Sequence, residues 1–146
     1  MKAVFRSIGI AGGILVLAGV QNASAQITNS VEFTTSFAFT VGNTTVPPGS
    51  YTIRPDDDDP NILALTGARA DVLFQTENKV QETVPSTTEV TFNRYGNGYV
   101  LKGIQVEGSE ISYVTTPVEG ERHVTKRGAA NGEQRVAARK KADASK

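Results

Sequence analysis

Residues 31–41, VEFTTSFAFTV, alternate with a period of two. Val31, Phe33, Phe37, Phe39 and Val41 share one face with Thr35, and Glu32, Thr34, Ser36, Ala38 and Thr40 share the other. Alternation rich in Phe, Val and Thr predicts a half-buried strand. The segment is longer than most strands, so a bend or bulge is expected near residues 34–36. Gly42-Asn43 and Pro47-Pro48-Gly49 then break the pattern. A short strand is predicted at 51–54, stopped by Pro55, and further strands at 62–65 and 71–76, with a turn at Thr66-Gly67. Residues 77–83 are polar and fit neither strand nor loop clearly, and Pro85-Ser86 is a break.

The strongest local pattern is a hairpin: residues 89–95, then Gly96-Asn97-Gly98, then 99–106. A two-residue Gly96-Asn97 turn sets Phe92 opposite Leu101 and Arg94 opposite Tyr99. An Asn97-Gly98 turn sets Phe92 opposite Gly103 and packs less apolar surface, so the first register is expected. A second turn at Gly108-Ser109 pairs Ile104 with Tyr113 and Val106 with Ile111. The two hairpins then place apolar side chains on opposite faces of their shared strand. Either both faces are covered or a bulge swaps the facing within 99–106. Seven or eight short strands, turns every 8–12 residues and no long helical periodicity predict a single-domain antiparallel β-sandwich or small barrel.

Two segments resemble a known group. Residues 39–54, FTVGNTTVPPGSYTIR, resemble an "F-x-V-G-x-x-x-x-P-x-G-x-Y-x-V" opening, and residues 90–101, VTFNRYGNGYVL, resemble a "V-F-x-R-Y-G-x-x-Y-F-L" hairpin. Together they are similar to a family of small exported β proteins of acidobacteria and related soil bacteria, over about residues 31–115. The resemblance implies an all-β fold and export, and brings no activity, cofactor or catalytic residue with it.

The N-terminus points the same way. Lys2 and Arg6 precede an uncharged apolar run, residues 8–20, and Ala23-Ser24-Ala25 follows. This is the layout of a secretory signal, with cleavage expected after Ala25 and Gln26 as the first mature residue. The run is too short and Gly-rich for a comfortable span of about 20 residues, so no transmembrane anchor is expected after cleavage. The absence of Cys excludes a lipid anchor on Cys and disulfide staples. It favours a bacterial periplasmic or extracellular setting over an animal one.

Charge divides the mature chain. Residues 26–120 carry −7 and residues 121–146 carry +5. From Thr125 onward Gly, Ala, Lys and Arg dominate, and Val136 is the one large aliphatic residue. Such a segment predicts a disordered basic tail over 121–146, with at most a transient helix near 133–142. The opposite charges also allow the tail to fold back on the domain.

Candidate chemistry is sparse. His123 is the single His and stands at the entry to the tail, so neither a Cys–His nor a Ser–His–Asp site on the sheet is expected, and no catalytic residue or cofactor is assigned. The carboxylates at 56–59 make Asp57 and Asp59 weak candidate ligands for a hard cation. Four consecutive Asp followed by Pro lack the alternating spacing of Ca²⁺ loops, and a solvated acidic loop is the better reading. Arg94, Tyr95 and Tyr99 form a candidate ligand-stacking surface, set against a simple Arg–Tyr packing contact at the sheet edge. Arg139, Lys140 and Lys141 are the densest cationic group and suit an anionic envelope polymer. Nucleic acid is not expected, and exposed strand edges would allow self-association. The expected role is an exported, non-catalytic binding or structural β protein. The alternatives are a small hydrolytic or isomerising enzyme with its pocket in a barrel mouth, or a strand-edge assembly subunit.

Overall fold

The computed structural model describes residues 30–117, 128 and 130–141. Residues 1–25, the expected cleavage at Ala25, and His123 lie outside them. The long alternation breaks where a bend was expected. β1 (Ser30–Thr35) and β2 (Phe39–Val41) are separate strands. Thr35 is buried, and its hydroxyl donates to the Phe37 carbonyl at 3.0 Å, holding the chain in a bend between them. Phe33 and Phe39 lie in the core, and Phe37, between exposed Ser36 and Ala38, packs against it half-buried.

β3 (Thr44–Val46), β4 (Gly49–Pro55), β5 (Ile62–Gly67), β6 (Asp71–Val80), β7 (Glu89–Tyr95), β8 (Gly98–Gln105), β9 (Ile111–Thr115) and β10 (Gly132–Lys141) follow. The described residues hold no helix. Eight strands close into an antiparallel barrel in the order β8-β7-β10-β1-β4-β5-β6-β9, with β9 returning to β8. β2 and β3 form an added hairpin that meets β8 at the parallel pair Thr40↔Val100.

Closure depends on two corner strands. β6 and β10, each 10 residues, are the longest in the barrel, and each changes partner midway. β6 pairs with β5 through Gln75 and with β9 from Thr76. The buried Thr76 seals that corner, donating its amide at 2.8 Å and its hydroxyl at 3.2 Å to the Asn61 carbonyl. β10 pairs with β7 through Ala137 and with β1 from Ala138. Strands that pass from one sheet to the other in this way are how two packed sheets are joined at their corners.

β10 corrects the expected disordered tail and the transient helix for residues 132–141. Composition alone fails here because the strand is not asked to bury much. Val136 and Ala138 pack partly against the core, and the rest of its stabilisation is sheet hydrogen bonding and charge. Residues 121–127, 129 and 142–146 of the tail lie outside the described set.

The β7–β8 hairpin adopts the expected register, with Phe92 opposite Leu101 and Arg94 opposite Tyr99. A register shift after Thr91 leaves Lys102 as an extra, exposed residue on β8. This bulge is how Leu101 and Ile104, three residues apart, both reach the core. β8 and β9 meet closely just beyond it. A Cβ on Gly103 would lie 2.5 Å from the Tyr113 carbonyl oxygen, so a residue without a side chain is required there. Thr115 completes the junction by donating its hydroxyl to the carbonyls of Leu101 and Lys102, at 2.7 and 3.1 Å. Ile104 pairs with Tyr113 as expected.

Gly96 has φ of 60° and, among the described residues, no non-Gly residue has positive φ, so the two-residue turn needs a positive φ at its first centre alone. A Cβ at Gly96 would meet nothing within 4 Å. The penalty for a side chain there is therefore one of backbone conformation. Gly96→Val is expected to lower unfolding stability by about 1–3 kcal/mol, read by chemical denaturation, and an unchanged midpoint would contradict the turn.

Candidate functional site

Aromatic rings fill the barrel. Phe39 of the β2–β3 hairpin reaches into the core against Phe92 (5.0 Å between centroids), Tyr51 (5.8 Å) and Phe33 (6.2 Å). Tyr51 anchors the hairpin by donating its hydroxyl to the Pro47 carbonyl at 2.5 Å. Beside the Gly96-Asn97 turn, Phe37 stacks on Tyr99 at 4.1 Å and meets the edge of Phe92 at 5.2 Å. This end of the barrel is packed with rings.

Open space lies on the outer face. A cleft of about 500 Å³ runs across β10, β1, β4 and β5. Its outward side chains are Ala137, Thr34, Ser50, Thr52 and Thr66, bordered by Glu32 and Arg139. These positions alternate with the buried Phe33 and Tyr51, so the same pleat that fills the core lays a strip of small hydroxyls on the outside. Strand pairing aligns them: Glu32 stands opposite both Arg139 and Thr52, Thr52 opposite Thr66, and Thr34 opposite Ser50. The Thr34 and Ser50 hydroxyls share a hydrogen bond of 2.8 Å. Short side chains make the strip a depression between longer charged neighbours.

The border is cationic and braced. Glu32 accepts from Lys141 Nζ at 3.1 Å and lies 3.9 Å from Arg139 Nη2. The Arg139 side chain remains 87% exposed, so its guanidinium has donors to spare for a ligand. Further along β10, Arg135 pairs with Glu133 (2.9 Å) and Glu89 (3.7 Å), and the bulged Lys102 reaches Glu133 at 2.5 Å. Hydrogen bonds from Lys102 and Arg135 hold the Glu133 carboxyl below its ordinary range. A depressed carboxylate of this kind favours folding above its unfolded-state pKa, and that contribution is lost as pH falls through the folded value. Exposure keeps it small.

The sequence candidates are distributed unevenly around this geometry. Arg139 lines the cleft, and Lys141 acts beside it through Glu32. Lys140 is exposed opposite Val31. Arg94 and Tyr99 face each other across the hairpin, yet Arg94 donates Nε to the Gly96 carbonyl at 3.2 Å and Tyr99 stacks on Phe37. Tyr99 is thus covered by Phe37, and Tyr95 lies opposite Gly98 next to the turn. In the acidic loop, Asp56 and Asp59 each accept an amide hydrogen bond from the residue two positions on, at 3.0 and 2.9 Å. These are turn-forming bonds. Asp57 is exposed, and no group of three His, Cys, Asp or Glu is placed to hold a metal ion among the described residues.

Sequence reading missed Thr34, Ser50, Thr52 and Thr66 as one surface. Each is an ordinary outward strand residue, and only the β1–β4–β5 register brings them together. Comparison of the chain with family models, with curated proteins and with solved structures finds no match.

Proposed function

We propose that this chain is an exported, non-catalytic binding protein of the bacterial envelope or its surroundings, which seats an anionic, hydroxyl-rich polymer across the outer cleft. The observation that carries the reading is the hydroxyl strip of Thr34, Ser50, Thr52 and Thr66, closed at one side by the exposed Arg139. Hydroxyls donate and accept, which suits a polyhydroxylated chain, and a guanidinium suits its carboxylate or phosphate groups. The basic, apolar, A-x-A order of residues 1–25 supports export. The likeness of residues 39–54 and 90–101 to small exported β proteins supports the same location.

The enzymatic alternative needs a pocket in the barrel mouth. The Phe37–Tyr99 stack and the Phe33, Phe39 and Phe92 rings occupy that end of the barrel, which favours the binding reading.

The test is retention of the mature protein on lipopolysaccharide and on a neutral polysaccharide across a salt series. Retention on the anionic polymer is expected to fade as salt rises, since exposed charges are screened within about 10 Å at 0.1 M. Arg139→Ala is expected to weaken it about three- to tenfold, or roughly 1 kcal/mol. Equal retention of Arg139→Ala and the parent protein at low salt would remove the cleft from the reading.

A further inference from the structure

Each residue of β10 belongs to a ladder on one side alone, and at the crossing Ala138 also donates its amide to the Thr88 carbonyl at 3.0 Å. Gly132–Ala137 pair with β7 and Ala138–Lys141 pair with β1, and no β10 residue pairs with both. The other corner strand, β6, is held the same way but is tied to β5 by a short turn between Gly67 and Asp71. β10 is joined to Thr115 at the end of β9 by a longer connection, of sixteen residues. At about 3.3–3.6 Å per residue such a segment can extend roughly 50 Å, about the width of a neighbouring small domain or more. β10 also contributes little to the core, with Val136 and Ala138 as its partly buried apolar side chains. Its departure would nevertheless open main-chain edges on β1 and β7, directly over the buried Val31, Phe33, Val90 and Phe92. An edge over apolar side chains is a template for another strand.

We propose that β10 exchanges between copies of this chain, so that the seat between β1 and β7 of one molecule receives Gly132–Lys141 of a second. The occupant is specified by what the seat already fits. The main-chain register, the Val136 contact and the ion pairs of Arg135 with Glu89 and of Arg139 and Lys141 with Glu32 are reproduced unchanged by an identical strand. Exchange therefore costs no native contact, which is what makes domain swapping a low-cost route to association. Covalent connection keeps the chain's own strand at an effective concentration of about the millimolar range. The closed monomer dominates in dilute solution, and exchange becomes substantial when copies are crowded. This inference concerns self-association and stands apart from the polymer reading.

The absence of Cys allows a trap. Thr91 and Arg135 are direct register partners on β7 and β10, and paired strand positions lie within disulfide reach. The double variant Thr91→Cys/Arg135→Cys is expected to close a disulfide within one chain when dilute and oxidised. Equal amounts of the single variants Thr91→Cys and Arg135→Cys, mixed near millimolar concentration, are expected to accumulate the mixed cross-linked dimer severalfold above a Thr91→Cys and Lys141→Cys mixture. Lys141 pairs with Ser30, far from Thr91, so that control measures random collision. Closure of the double variant without an excess of the mixed dimer would overturn exchange. Failure of the double variant to close would remove β10 from the seat and the proposal with it. Neither result bears on retention by lipopolysaccharide, which Arg139→Ala reads separately.

Discussion

A chain ending at Asn131 is expected to lose cooperative folding. β10 is held by ten register pairs, six to β7 and four to β1. Backbone hydrogen bonds contribute roughly 1 kcal/mol each in net terms, so their combined loss approaches the 5–15 kcal/mol that separates a typical domain from its unfolded state. The effect exceeds the bonds themselves. Without β10 the barrel opens between β1 and β7, and Val31, Phe33, Val90 and Phe92 lose their cover. Differential scanning calorimetry of the truncated chain should show no sharp transition where the full chain shows one. A dye that binds exposed apolar surface should brighten. A charged appendage without a structural role would leave both signals unchanged after removal, and that outcome would contradict the seat of β10.

That contrast marks where the sequence is legible and where it is not. The β7–β8 register was readable because Phe92 and Leu101 had to meet, and because Gly96-Asn97 supplies the one left-handed position the turn needs. The bulge at Lys102 was readable only as one of two solutions. Facing on β8 demanded either a bulge or cover on both sides, and choosing required the Gly103–Tyr113 approach and the Thr115 hydroxyl. β10 was illegible for a different reason. Sequence patterns detect strands through the apolar side chains they bury, and β10 offers Val136 and Ala138 to the core among eight largely exposed residues. Its position is set by the edges of β1 and β7 and by Glu32, Glu89 and Lys102, which are distant in sequence or too sparse to form a pattern. The opposite charges of tail and domain were the one available trace of it. The cleft was illegible in the same way: its hydroxyls belong to three strands, and a period-2 pattern says that they point outward without saying which of them are neighbours.

Phe39→Ala is expected to cost about 3–5 kcal/mol, the range for truncating a buried Phe. Phe39 is 1% exposed and touches rings from β1, β4 and β7, so it joins the added hairpin to both halves of the barrel. Each aromatic pair adds about 0.5–1.5 kcal/mol beyond the area it buries, which places this variant toward the upper end. Phe37→Ala supplies the comparison. Phe37 stands two residues earlier on the same alternating face of the sequence, yet the bend set by Thr35 carries it out to a half-buried position against Tyr99. Its loss is expected to cost roughly half as much, because surface that stays wet in the folded state contributes no burial energy. Urea denaturation of the two variants and the parent measures the difference. A uniform strand through residues 31–41 would give the two variants equal costs. The bend gives Phe39 the larger one, and a Phe37→Ala cost equal to or above that of Phe39→Ala would show that the chain does not turn at Ser36.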